Sequence, residues 1–258
     1  MRRSVSQPLS SSALLGAGWD AGPGDIEAEL QDFSYTVSHD LAATFRHQAG
    51  FSRLLLEELG GRLNSRQQSH ADHLLAASDK CQLMLEQLLV HSRLQQKTLD
   101  RSRVEADQVI GLLLLQFSAQ IAEAEAKVTC EPLGEIVADR ELLTLALHHL
   151  IENAIKFRRS GYPPRIAISC AHDAQTWRVR ISDNGPGVPS AYREKAFRMF
   201  QRLNPEGVYP GLGAGLAICR RIARRHGGEV SFRDCEDGAS IELALPLTPS
   251  DSARASAP

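Results

Sequence analysis

Between residues 25 and 97 apolar side chains recur at helical spacing. Leu30, Phe33, Val37, Leu41 and Phe45 follow one another mostly in steps of four, and Phe51, Leu55 and Leu59 continue the stripe after a break. Gly60-Gly61 ends it, because paired glycines accept the left-handed backbone that closes a helix. Asn64 with Gln67 three residues later has the form of a capping box for a second helix. In that helix Ala71, Leu74, Ser78, Cys81, Leu85 and Leu88 alternate steps of three and four, a heptad seam. A hairpin of two such helices cannot bury both apolar faces, so the pattern predicts a homodimer that completes a four-helix bundle.

From about residue 100 the period changes. One helix is predicted over Gln108–Ala126. Short strands follow at Val128–Cys130, Ile136–Ala138, Arg165–Ala171, Trp177–Ser182, Glu229–Asp234 and Ile241–Pro246. Helices at Arg140–Arg158 and Gly213–His226 lie between them, with Asp139 as the N-cap of the first. Strands interleaved with helices predict an α/β sandwich. The expected fold is thus α plus α/β, with a hairpin over 25–97 and a second domain over 100–247 joined near the charged stretch Lys97–Asp107. The Ser-, Gly- and Pro-rich ends, 1–24 and 248–258, are expected to be disordered tails.

Composition narrows the function classes. A chain of 258 residues with 43% hydrophobic and 23% charged positions can bury ordinary cores, about two by length. A net charge of −2 excludes a uniformly basic nucleic-acid surface. The longest apolar run, Leu112–Leu115, is far short of the ~20 residues that span a bilayer. Arg2-Arg3 is followed by too short an apolar stretch to be an export signal. Five scattered cysteines without a C-x-x-C fit a reducing, cytoplasmic setting and no zinc ribbon.

Three constellations carry chemistry. His148-His149-Leu150-Ile151-Glu152-Asn153-Ala154-Ile155-Lys156-Phe157 places Asn153 and Lys156 on one helix face, where an amide oxygen can ligate Mg²⁺ and an ammonium can meet phosphate. Taken alone it proves little, since Asn and Lys on a helix are more often a solvated surface. Asp183-Asn184-Gly185-Pro186-Gly187 follows a strand and reads either as an Asx-type turn or as a carboxylate presented to a ligand. Gly211-Leu212-Gly213-Ala214-Gly215-Leu216 opens a helix, the geometry that binds anions through exposed N–H groups. It has neither the Lys-Ser/Thr of a Walker A loop nor the setting of a Rossmann turn.

In this order, with Ala196-Phe197-Arg198-Met199-Phe200 between the second and third, the constellations resemble the N, G1, F and G2 boxes of sensor histidine kinases. The resemblance implies a Bergerat-type (GHKL) ATP-binding fold with ATP and Mg²⁺. Asn153 would be the metal ligand, Lys156 would lie near the phosphates and Asp183 would bond the adenine amino group. Gly185, Gly187, Gly211, Gly213 and Gly215 would frame a mobile lid over ATP anchored by Phe197 and Phe200, with Leu216 also among the ATP-binding residues. Clamp ATPases of this fold carry a Glu four residues before the Asn to activate water. Here that position is His149, with Glu152 next to Asn153, so water activation is not expected. A role for His149 as a minor polar helper is the less favoured reading.

Phe33-Ser34-Tyr35-Thr36-Val37-Ser38-His39-Asp40-Leu41 is similar to the H-box of the dimerisation and phosphotransfer (HisKA-type) domain in phytochrome-like kinases. His39 lies between the apolar positions Val37 and Leu41, so its ring is expected to project from the seam. The resemblance implies that His39 attacks the γ-phosphate of ATP while Asp40 bonds the other ring nitrogen, and that the phosphoryl group then passes to an aspartate of a separate response-regulator receiver domain. His47, His70, His73 and His91 read as surface or seam residues. Eight Lys/Arg between Ser190 and Gly228 stand against two acids, Glu194 and Glu206, and that surplus would favour a polyphosphate. Arg202, just after the F-box, is the member expected at the ATP, whereas Arg224 stands where the family often has an acid.

Two H-box positions depart from the family. Thr44 replaces a usual Pro, which predicts a straighter, stiffer helix. Ala43 stands where kinases that also dephosphorylate their partner often carry Thr or Asn. Only 24 residues precede the first helix, fewer than a sensory domain needs, so input is expected through a separate sensor protein or through the hairpin. The alternatives are a histidine phosphotransferase relay with a weak nucleotide domain, and a clamp-type ATPase or Ser/Thr kinase of the same nucleotide fold.

Overall fold

The computed structural model describes residues 23–96, 98–205 and 208–247, with no side-chain detail at 23–36, 38, 39, 95 and 96. Both expected tails, apart from residues 23 and 24, and Glu206 of the basic region lie outside the described residues. Helices α1 (Pro23–Leu59) and α2 (Ser65–Gln96) form the hairpin. The Asn64 Oδ1 accepts from the Gln67 N–H at 3.0 Å while the Gln67 Oε1 accepts from the Asn64 N–H at 2.9 Å, the reciprocal box that starts α2. Small residues let the helices approach: Ala42, Ala49, Ala71 and Ser78 are buried, and the Arg53–Asp79 ion pair spans them. Leu74 of the expected seam is exposed, as are Val37, Leu41, Phe51, Leu54 and Leu55, so one hairpin leaves much of its apolar surface uncovered. α1 runs unbroken past Thr44, whose hydroxyl donates to the Asp40 carbonyl at 3.0 Å.

The α/β part begins with β1 (Arg101–Glu105), α3 (Ala106–Gln116), α4 (Ser118–Glu123), β2 (Lys127–Cys130) and β3 (Glu135–Asp139). It continues through α5 (Arg140–Lys156), β4 (Arg165–His172), β5 (Thr176–Asp183), α6 (Ser190–Ala196), α7 (Gly215–Arg225), β6 (Glu229–Arg233) and β7 (Ala239–Pro246). β1 and β3 pair antiparallel as a two-stranded sheet. The main sheet has the order β2-β4-β5-β7-β6, antiparallel except for β2 with β4. α5 and α7 pack on it, and the core is made by Leu143, Leu147 and Ile151 of α5, Ile218 and Ile222 of α7, and Ile166, Ile168, Val179 and Leu243 of the strands. On β7 the buried Glu242 is held by Arg180 of β5 at 2.7 Å and Arg233 of β6 at 2.6 Å.

Three expectations are corrected. The stretch expected to be a linker contains β1, because Val104 buries completely and the backbone pairs in register with β3. The helix expected over Gln108–Ala126 is two helices, broken where the buried Phe117 leaves helical geometry at ψ 5°. The helix expected from Gly213 starts at Gly215, since Gly213 has φ +76°.

Asp139 gathers several of these elements. One carboxylate oxygen caps α5 through the Leu142 N–H at 3.1 Å, and the other accepts from the Asp100 N–H at 3.2 Å. The Asp139 N–H donates to Nε2 of His226 at 3.1 Å, and Nδ1 of His226 donates to the Ile222 carbonyl at 2.9 Å. The second bond fixes the proton on Nδ1 of a neutral ring. Burial above all holds the His226 pKa below its ordinary value, although the Ile222 carbonyl pulls the other way. The folded state therefore binds fewer protons here than the unfolded chain, so this contribution to stability is complete above the unfolded-state value near 6.5 and is lost as pH falls below it. Thermal unfolding between pH 8 and pH 5 is expected to show a midpoint that falls on the acid side, with a shallower fall in His226→Gln. His226→Ala is expected to lose about 1–3 kcal/mol at pH 8, read by denaturant unfolding.

Candidate functional site

The second half of α5, the loop after β5, the segment before α7 and the start of α7 surround a cavity of about 790 Å³. Its wall includes Asn153, Lys156, Asp183, Gly187, Arg202, Gly211, Gly213, Gly215 and Leu216, so residues from all three constellations come together. Leu83 and Gln87 of α2 complete one side.

α5 presents Glu152, Asn153 and Lys156 to the cavity because Leu147, Leu150, Ile151, Ala154 and Ile155 take the buried face. No protein group among the described residues hydrogen-bonds the half-buried Asn153 amide, which leaves its oxygen available to a cation. Burial pushes the Lys156 ammonium below its ordinary pKa against the opposing pull of Glu152, and Nζ rests 4.5 Å from the Phe157 ring centre. An incoming anion is the natural partner for such a desolvated cation.

The Asp183 turn is an Asx turn whose carboxylate lines the cavity. Oδ1 accepts from the Gly185 N–H at 2.8 Å, an Asx turn, and from the Ala239 N–H at 3.2 Å. Among the described residues the second oxygen has no protein donor. Burial pushes the carboxyl up to about 6, against these two N–H donors. The turn depends on missing side chains: a Cβ on Gly185 would stand 2.0 Å from the Phe157 carbonyl oxygen, and one on Gly238 would stand 1.8 Å from that of Asp183. The sequence around Gly238 does not show this role, because it depends on a carbonyl far away in the chain.

Phe197 is buried edge-on to Phe232 at 5.3 Å between ring centres, with the Arg220 guanidinium 4.1 Å over its ring. Arg220 also makes two bonds to Glu194, at 3.0 and 2.9 Å, tying α7 to α6. Phe200 has φ +58°, a left-handed conformation rare for an aromatic residue and found where surrounding structure imposes it. Arg202 spends its donors on the segment before α7, reaching the Tyr209 carbonyl at 2.9 Å and the Pro205 carbonyl at 3.5 Å. Of the eight basic residues counted in this region, Lys195 and Arg202 line the cavity. Arg193 is paired with Asp234 and Arg225 bonds the Leu94 carbonyl of α2. On α1 the side chain of His39 lies outside the described residues, and Asp40 is exposed and not in the cavity wall.

Residues 138–249 match the family described as histidine kinase-, DNA gyrase B-, and HSP90-like ATPase. Cyanobacterial phytochrome A of Nostoc sp. is 28% identical over 221 residues, 85% of this chain and 29% of the relative. The methanogenesis regulatory histidine kinase FilI of Methanothrix harundinacea is 28% identical over 228 residues, 86% of this chain and 26% of the relative. Residues 138–249 thus form a domain of that ATPase family, and over most of its length the chain is similar to sensor proteins such as these. It spans between a quarter and three tenths of the length of these two relatives. The solved complex of histidine kinase ThkA with response regulator protein TrrA shares the fold, with a TM-score of 0.57, 19% identity, and coverage of 83% of this chain and 62% of that one. No helix among the described residues is long and apolar enough to cross a membrane. The cavity is therefore lined largely by a domain of an ATP-binding class.

Two outcomes are expected at this site. If Asp183 accepts from the nucleotide base, binding opposes protonation, so affinity for a non-hydrolysable ATP analogue is level above the free-state value of about 6 and declines as pH falls through it. Calorimetric titrations from pH 7.5 to pH 5 read this, and Asp183→Asn is expected to flatten the decline at a lower affinity. Gly185→Ala, which cannot keep both the turn and the Phe157 carbonyl in place, is expected to weaken the analogue at least about tenfold, or about 1.4 kcal/mol, in the same titration.

Proposed function

We propose that the chain is an ATP-dependent protein-histidine kinase of a two-component phosphorelay, working in the cytoplasm as a homodimer through the hairpin. The observation that carries this reading is the ATP cavity, with Asn153, Lys156 and Asp183 in its wall, in one chain with a helical hairpin that bears His39 and supplies Leu83 and Gln87 to that wall. The exposed Val37, Leu41, Leu54, Leu55 and Leu74 support dimerisation, since a second hairpin would cover such a surface.

In the proposed reaction a ring nitrogen of His39 attacks the γ-phosphorus of ATP. An N–P bond forms, the bond to the bridging oxygen breaks and ADP leaves. Asp40, one residue on, holds the proton on the other ring nitrogen and stabilises the cation. The unpartnered Asn153 amide fits Mg²⁺, which when bound offsets charge on the phosphates. Lys156 binds the polyphosphate, Asp183 the base, and the glycine segment before α7 covers the nucleotide. Phosphohistidine then passes its phosphoryl group to an aspartate of a separate response regulator; the fold shared with ThkA, solved in complex with TrrA, supports that partner class.

Incubation with γ-³²P-ATP tests the reading. Wild type is expected to acquire acid-labile, base-stable label, His39→Ala none, and Asn153→Ala less than about a hundredth of the wild-type rate. ATP turnover that survives in His39→Ala would instead indicate a clamp-type ATPase or a kinase of another residue. An unlabelled wild type that accepts phosphate from a phosphorylated receiver would indicate a relay protein.

A further inference from the structure

His148, His149 and Glu152 do not take part in the proposed transfer, yet they sit together on the cavity wall. Their ligand atoms all lie within 4.8 Å of one another. Nδ1 of His149 is 3.4 Å from Oε2 of Glu152, and two ligands of a tetrahedral zinc ion, each about 2.0–2.1 Å from the metal, stand about 3.3 Å apart. The helix explains the grouping: Glu152 is three residues after His149 and four after His148, so one carboxylate serves both rings. Phe117 stacks on the His148 ring at 4.8 Å between centres and restricts it. Gly215 keeps room beside the His149 ring, since a Cβ there would stand 3.3 Å from Cγ and from Nδ1.

We propose that His148, His149 and Glu152 form a binding site for a divalent transition-metal ion of the zinc class, distinct from a Mg²⁺ held at Asn153. The donor set selects the ion. Two imidazoles and one carboxylate suit zinc, cobalt or nickel, whereas Mg²⁺ requires oxygen ligands in an octahedron. The surroundings select in the same direction. The Lys156 ammonium and the start of α7 repel a cation bound by charge alone, so an ion that gains bond energy from imidazole nitrogen is the one that stays. Three protein ligands leave one position for water or for an anion in the cavity. The site stands apart from the kinase reading, because it concerns metal binding without nucleotide.

The test uses the full chain and Zn²⁺ alone, titrated by calorimetry in a buffer that does not bind zinc. One equivalent is expected to bind, unaffected by millimolar Mg²⁺. His148→Ala and His149→Ala are expected to weaken it at least tenfold, Glu152→Gln less, and His73→Ala, which breaks the exposed His70/His73 pair on α2, not at all. Cobalt substitution of the wild type is expected to give tetrahedral absorption bands without a thiolate charge-transfer band, a readout independent of whether any variant folds. Absence of saturable binding, wild-type affinity in both histidine variants, loss of binding in His73→Ala or a thiolate band would each overturn the proposal.

Discussion

A single buried carboxylate, Asp139, sets where the site-bearing helix begins. Its two oxygens and its own N–H fix the start of α5, the chain at Asp100 where the hairpin hands over to β1, and His226 just past the end of α7. Burying a carboxylate is costly without partners, and here it has two N–H donors, with the Arg225 guanidinium near enough to feel its charge. Because α5 is pinned at its first turn and packed along its apolar face, the positions of Glu152, Asn153 and Lys156 several turns on are determined by helix geometry rather than by contacts of their own. His226 thus belongs to the site's support although it lies outside the cavity wall.

The opposite wall is organised by missing side chains. Gly185 and Gly238 allow backbone carbonyls to come where any Cβ would stand, and the turn they permit gives Asp183 its two N–H donors. The same closeness desolvates the carboxyl and raises its pKa, so turn geometry and protonation have one origin. The segment before α7 is held differently, by Arg202 on two carbonyls and by Tyr209, whose hydroxyl donates to the Arg158 carbonyl at 2.9 Å.

Much of this was legible in the sequence, for physical reasons that differ by element. Gly60-Gly61, the Asn64–Gln67 box and the Asp139 cap are local hydrogen-bond chemistry, and local chemistry is readable. The three constellations were legible because each is a short run of one local character: polar groups on one helix face, a turn-forming Asp-Asn-Gly-Pro-Gly, and alternating glycines before a helix. β1 was illegible since one buried residue, Val104, is too little apolar signal, and its partner strand lies a whole helix pair away. The break at Phe117 was hidden by apolar spacing that runs on through it. Gly238 and His226 carry no local mark at all, because what each touches is set by the fold. Arg202 lines the cavity, but its bonds to the Tyr209 and Pro205 carbonyls depend on the path of the following loop and have no mark in the sequence.

Leu83 and Gln87 give α2 a share in the wall of the ATP cavity. A wall held in common couples two equilibria. Any rotation or shift of α2 that moves these side chains alters the free energy of occupancy of the cavity, and by thermodynamic reciprocity occupancy alters the preferred position of α2 by the same amount. A group in this compartment would therefore touch both the hairpin and the α/β part.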